Sequence, residues 1–98
     1  VINEGGHPEY ATVARVRLAG VELDAKDANK AKAVLDAIDP AQAQMPLVLD
    51  RRGDVLLALG DVDGARKCWE DALERDRASG ELLALLSLKI QALPEKKS

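Results

Sequence analysis

Asp50 and Asp54 lie one helical turn apart and are the residues best placed by spacing for acid-base chemistry. Catalytic carboxylate pairs need an enclosed site that drives their pKa values apart. On an open helical face both stay solvated and ionised, which argues against catalysis and leaves them as surface charges or as contacts for a partner's basic group. Asp61-Val62-Asp63-Gly64 has the opening of a calcium loop. That loop needs a further acidic or amide ligand before the glycine and a glutamate at a fixed distance after it, so the stretch reads as a turn between helices. His7 is the single histidine and sits beside Pro8 at a helix start, without partners for a metal site or a catalytic triad. Cys68 falls on an apolar stripe with no histidine near it in sequence and reads as a structural thiol, and Trp69 reads as core. No glycine-rich phosphate loop occurs. These residues call for no metal, no cofactor and no enzymatic activity.

Composition narrows the class of partner. The chain has 98 residues with one Trp, one Tyr and no Phe, enough for one modest core and one domain. Fourteen basic residues against seventeen acidic ones give a net charge of -3, which offers no broad field to nucleic acid or to an anionic bilayer. Arg51-Arg52 and Arg15/Arg17 lack the interleaved aromatics of a nucleic-acid platform and are expected to pair with acids on the outer surface. Proteins or peptides are the expected partners. One cysteine excludes an internal disulfide framework and leaves the compartment open. No apolar run reaches the roughly 20 residues of a membrane span, and Val1-Ile2-Asn3-Glu4 does not open a signal peptide. The chain does not start on methionine, so an anchor or targeting segment upstream of Val1 is left open.

The elements that position these residues follow from an internal repeat. Ala19 aligns with Gly53, Leu23 with Leu57, Asp27 with Asp61, Ala31 with Ala65 and Leu35 with Trp69, all at an offset of 34 residues, the period of the tetratricopeptide repeat. After a loose lead-in over Val1 to Gly6, Tyr10, Val13, Ala14, Leu18 and Val21 give helix one its apolar spacing. A polar break at 26–29 precedes a second stripe of Ala31, Val34, Leu35 and Ile38, which ends at Asp39-Pro40. A third helix begins between Ala41 and Leu47, because Pro46 is tolerated in a first turn, and runs to Leu59 before Gly60. Ala65, Cys68, Trp69, Ala72 and Leu73 mark the fourth. Ala78-Ser79-Gly80 breaks it, and Glu81 to Leu93 forms the last helix, stopped by Pro94 and followed by a solvated tail over 95–98. The expectation is an all-α fold of about five antiparallel helices in one domain over 1–98. Repeat one covers about 10–40, repeat two about 44–77 and the final helix about 81–93.

In the tetratricopeptide pattern small residues stand where two helices cross closely, and Ala19, Ala31, Gly53, Ala65 and Ala72 occupy those places. Trp69 stands where the family fills the space between units. Ile38 in place of an alanine, Glu22 and Leu56 in place of an aromatic, and Arg77 in place of a proline depart from the pattern. Over roughly 10–93, the segments at 14–19, 33–38, 52–57 and 59–66 resemble the C-terminal repeats of the YfgM-like ancillary subunits of the bacterial SecYEG translocon. That resemblance implies a short cytoplasmic start, one transmembrane helix and a periplasmic repeat domain associated with the translocon and with periplasmic chaperones.

In such arrays the first helix of each unit lines a concave face. The pattern assigns Val13, Val16, Gly20 and Leu23 to it from the first unit, Leu47, Asp50, Asp54 and Leu57 from the second, and Ala84, Leu88 and Gln91 from the final helix. Gly20 and Asp54 stand where a carboxylate-clamping repeat carries asparagine, so a clamp is not expected. A groove for an extended or helical segment is. The last helix is apolar around much of its circumference, where a terminal helix should be polar outside. It is therefore expected to meet a partner or a second copy of the chain. The resemblance implies a periplasmic interaction domain. The competing classes are a scaffold in another envelope assembly, such as a pilus, cell-division or cytochrome-maturation system, and a cytoplasmic peptide-sensing regulator. An enzyme would need catalytic residues in a domain outside this chain.

Overall fold

The computed structural model describes residues 8–78 and 80–94. The lead-in, His7 and the tail lie outside them. Five α-helices follow one another: α1 Pro8–Asp24, α2 Ala28–Asp36, α3 Pro46–Ala58, α4 Val62–Arg75 and α5 Leu83–Ala92. Single 3-10 turns at Pro40–Gln42 and Asp76–Ala78 join the hairpins. No strand occurs among the described residues.

The two tight links are built alike, 34 residues apart. At the end of α1, Lys26 has φ 64 and Asp27 N–H donates to Glu22 O at 2.8 Å; at the end of α3, Gly60 has φ 90 and Asp61 N–H donates to Leu56 O at 2.8 Å. These left-handed caps satisfy the last carbonyls of each helix. Each aspartate then caps the following helix: Asp27 accepts from Lys30 N–H at 3.1 Å and Asp61 from Gly64 N–H at 2.8 Å. The helix α2 thus starts inside the expected polar break. The Asp61-Val62-Asp63-Gly64 stretch is a capped turn. Pro46 opens α3, where its missing N–H costs nothing.

Two apolar clusters run through the stack. The first holds Val16, Ala19, Ala31, Leu35, Ile38, Val48 and Val55, and the second Leu49, Ala65, Trp69, Ala72, Leu86 and Leu93. The small residues at the crossings, Ala19, Ala31, Gly53, Ala65 and Ala72, are all buried. Trp69 lies so close over Gly53 that a Cβ there would overlap the indole. In α2 the expected stripe is the buried one. In α1 it is not: Tyr10, Leu18 and Val21 are exposed, and Thr12, Val16 and Ala19 face inward. That helix is apolar on both sides, and periodicity alone picks the wrong one.

Candidate interaction groove

The helices α1, α3 and α5 are the first members of successive units, and the face expected to bind lies along them. Its centre is a cluster of charges. Lys89 Nζ on α5 donates to Asp50 Oδ1 at 2.7 Å and to Asp54 Oδ1 at 2.9 Å on α3. Asp54 Oδ2 also receives Arg51 Nη1 at 3.3 Å. The Lys89 ammonium lies 5.4 Å from the centre of the Trp69 ring, and the indole N–H donates to Asp50 O at 2.9 Å. Asp50 is only 8% exposed.

Burial pushes the Asp54 carboxyl above its ordinary pKa, and the hydrogen bond from Lys89 only partly offsets this. Burial also works against the Lys89 ammonium, yet its bonds to the two aspartates prevail and raise its pKa. The two shifts point in different directions for stability. Lys89 has two carboxylates, whereas Asp54 is held back first by burial, shares the ammonium with Asp50, and gains least from Arg51. The cation is the member that gains from the site.

The sequence reading left Lys89 out. It placed two solvated acids here, open to a partner's cation, whereas the cation comes from the chain's own last helix. The signal was present, since Lys89 is the one charged residue within α5.

The other assigned residues separate into three groups. Val16 is part of the first core and presents no surface. Gly20 packs under the Arg51 guanidinium, and Val13 is half-buried. Leu23 and Leu47 pack partly against the first core and also line two recesses. One recess, of about 280 Å³, is lined by Leu23, Lys26, Ala28 and Ala58. The other, of about 320 Å³, is lined by Met45, Pro46, Leu47 and Leu82 with Asp76 and Glu81. They lie at opposite ends of α3. Leu57 is 39% exposed and Leu88 64%, and Ala84 and Gln91 are exposed too. Away from this face Arg52 donates to Asp36 at 2.9 Å, so it does pair on the outer surface, and Lys32 and Arg52 together hold the Asp36 carboxyl below its ordinary pKa. Cys68 is half-buried, and burial pushes its thiol up.

A tetratricopeptide repeat-like domain model matches residues 1–95. The chain belongs to the tetratricopeptide repeat-like family. It is 36% identical over 81 residues to the Ancillary SecYEG translocon subunit of Escherichia coli (strain K12), covering 83% of this chain and 38% of that protein. The chain thus spans well under half the length of this relative. No solved structure is matched. Family membership accounts for the paired caps and the buried small residues. Among the described residues no group of three or more His, Cys, Asp or Glu could hold a metal ion, and no helix is long and apolar enough to cross a membrane.

Proposed function

We propose that this chain is a non-catalytic docking domain of a translocon accessory protein on the periplasmic side of the bacterial inner membrane, where it holds a chaperone or an emerging polypeptide. The observation that supports docking best is the pair of recesses at the two ends of α3, each sized for one or two side chains and smaller than or at the low end of ordinary small-molecule pockets. The 13 residues of α3 rise about 20 Å. An extended segment spans that distance in about six residues. The partner segment therefore carries two apolar anchors about six residues apart if extended, one for each recess, with exposed Leu57 beside its path. The translocon part of the reading rests on similarity to the Escherichia coli subunit. Asp50 and Asp54 do not bind the segment directly, because Lys89 already holds them.

The test is to purify the full-length tagged protein from its own cells in mild detergent, with a Leu57→Arg variant alongside, and to identify what co-purifies. Translocon subunits recovered with both forms, and chaperones reduced in the variant while circular dichroism is unchanged, are the expected result. Recovery of another envelope assembly, or of cytoplasmic proteins alone, overturns the translocon reading. Equal chaperone recovery with Leu57→Arg overturns the groove.

A further inference from the structure

The two recesses at the ends of α3 differ in charge, and the difference says what kind of segment fits them. Leu47 lines one and Ala58 the other. Eleven residues separate them, about three turns and about 17 Å along one side of the helix, so a single chain lying on α3 reaches both. At the Ala58 end the charge in the lining is Lys26, which is exposed. Its neighbour Asp27 caps α2 and is not part of that lining. At the Leu47 end the lining carries two acids, Asp76 and Glu81. Asp76 is 4% exposed and accepts Leu82 N–H at 2.9 Å, which holds it in the turn into α5, while Glu81 is at the surface.

Between the two ends the charges cancel. Asp50 and Asp54 are paired with Lys89 and Arg51, two acids against two bases, so the middle of the path offers a ligand no net charge. The α3 macrodipole runs against this layout, but it amounts to about half a charge at each end, less than the side chains there. Lys26 adds a second sign. It holds a left-handed backbone at φ 64, where the equivalent residue 34 positions on is Gly60 at φ 90. Glycine takes that conformation freely and lysine does not, so the turn itself gives no reason for a long cation at the mouth of the recess.

Resting on the docking reading above, we propose that the segment held along α3 is bipolar. It is an extended stretch of partner polypeptide with an acidic side chain next to the apolar anchor in the Lys26 recess and a basic side chain next to the anchor in the Glu81 recess. A wholly acidic or wholly basic segment meets one matching end and one opposed end. Ion pairs at exposed rims are individually weak, so these charges select among segments whose apolar anchors supply most of the affinity.

Isothermal titration calorimetry of the full chain with end-capped synthetic peptides, at low ionic strength, tests this. Each peptide carries two leucines six positions apart on a serine background, flanked on the outside by Glu and Lys in either chain sense, by Glu at both ends, or by Lys at both ends. The tighter of the two bipolar peptides should bind at least about fivefold better than either like-charged one, and the advantage should shrink as salt rises. Lys26→Glu should transfer the preference to the Lys/Lys peptide, and Glu81→Lys should bring the Glu/Glu peptide level with the bipolar one; both residues are exposed, so the fold is kept. Equal binding of all the peptides, or a bipolar preference that Lys26→Glu leaves in place, overturns the bipolar assignment and leaves the groove standing. Binding by none of them overturns the groove as well.

Discussion

The two junctions of the stack use the same backbone positions with opposite chemistry. In the first, Val16, Leu35 and Val55 meet in a wholly apolar cluster. Thirty-four residues on, those positions are Asp50, Trp69 and Lys89, joined by an ion pair, an indole hydrogen bond and a cation over a ring. The crossings differ in step. Ala19 suffices where the filler is Leu35, while the indole of Trp69 demands Gly53. A repeat fixes where side chains meet and leaves open what holds them. The buried centre of the first junction is apolar and holds no titratable group; its charged link, Arg52 to Asp36, lies at the surface between α3 and α2. The second adds a directional, titratable link between α3 and α5.

The largest expected effect comes from breaking the second crossing. Trp69→Ala should cost about 3 to 5 kcal/mol, and Gly53→Ala about 2 to 3 kcal/mol because the added methyl has nowhere to go. The double variant Gly53→Ala/Trp69→Leu copies the first crossing and should recover much of the loss. A double-mutant cycle by urea unfolding checks it, and simple additivity would mean the two crossings are not equivalent.

Next comes the charged link. Lys89→Val should destabilise by about 2 kcal/mol, since it leaves two partly buried carboxylates without their cation. Asp50→Val/Lys89→Val, which rebuilds the first junction's chemistry, should return to within about 1 kcal/mol of the parent. The raised Lys89 pKa gives a sign as well. Its contribution is complete below the ordinary lysine value and is lost as pH rises through the raised one, so α5 should loosen in alkali. Tryptophan fluorescence followed against pH, in the parent and in Lys89→Val, tests this; identical alkaline profiles would remove Lys89 as the cause.

Smaller still is the difference between the two caps. Lys26 holds a left-handed backbone that Gly60 adopts freely. Lys26→Gly should therefore stabilise by up to about 1 kcal/mol, and Gly60→Lys should cost about as much. Paired thermal melts give the comparison. The smallest effect is expected from Asp54→Asn. Because burial already disfavours that carboxylate, neutralising it should change stability by less than about 1 kcal/mol at neutral pH. Asp36 is the opposite case: its lowered pKa means its contribution is lost as pH falls below the ordinary carboxylate value. Asp36→Asn should flatten acid unfolding where Asp54→Asn does not.

The elements with one apolar side were readable in advance. Ala31 and Leu35 on α2 with Ile38 just beyond its end, and Ala65, Trp69 and Ala72 on α4, form the buried stripes that their spacing requires. The helices α1 and α5 were harder because their apolar residues nearly encircle them, so spacing cannot say which side meets the core. Val21 is 59% exposed, although its equivalent Val55 is buried. At the groove, Asp50 and Asp54 were found but their role was not. A contact between residues 39 positions apart, as Lys89 and Asp50 are, leaves no local trace. Two weaker signals point to it: Lys89 is the one charge within α5, and the 34-residue translation puts it where Val55 stands.

The single tryptophan stands where α3, α4 and α5 converge, bonded to the Asp50 carbonyl and beneath the Lys89 ammonium. The molecule therefore carries its own optical probe where α5 joins the stack. Departure of α5 would strip a cation and an apolar cover from the indole while most helical content persists. A change in emission wavelength that precedes the loss of circular dichroism would mark that departure as a separate event, without any added label.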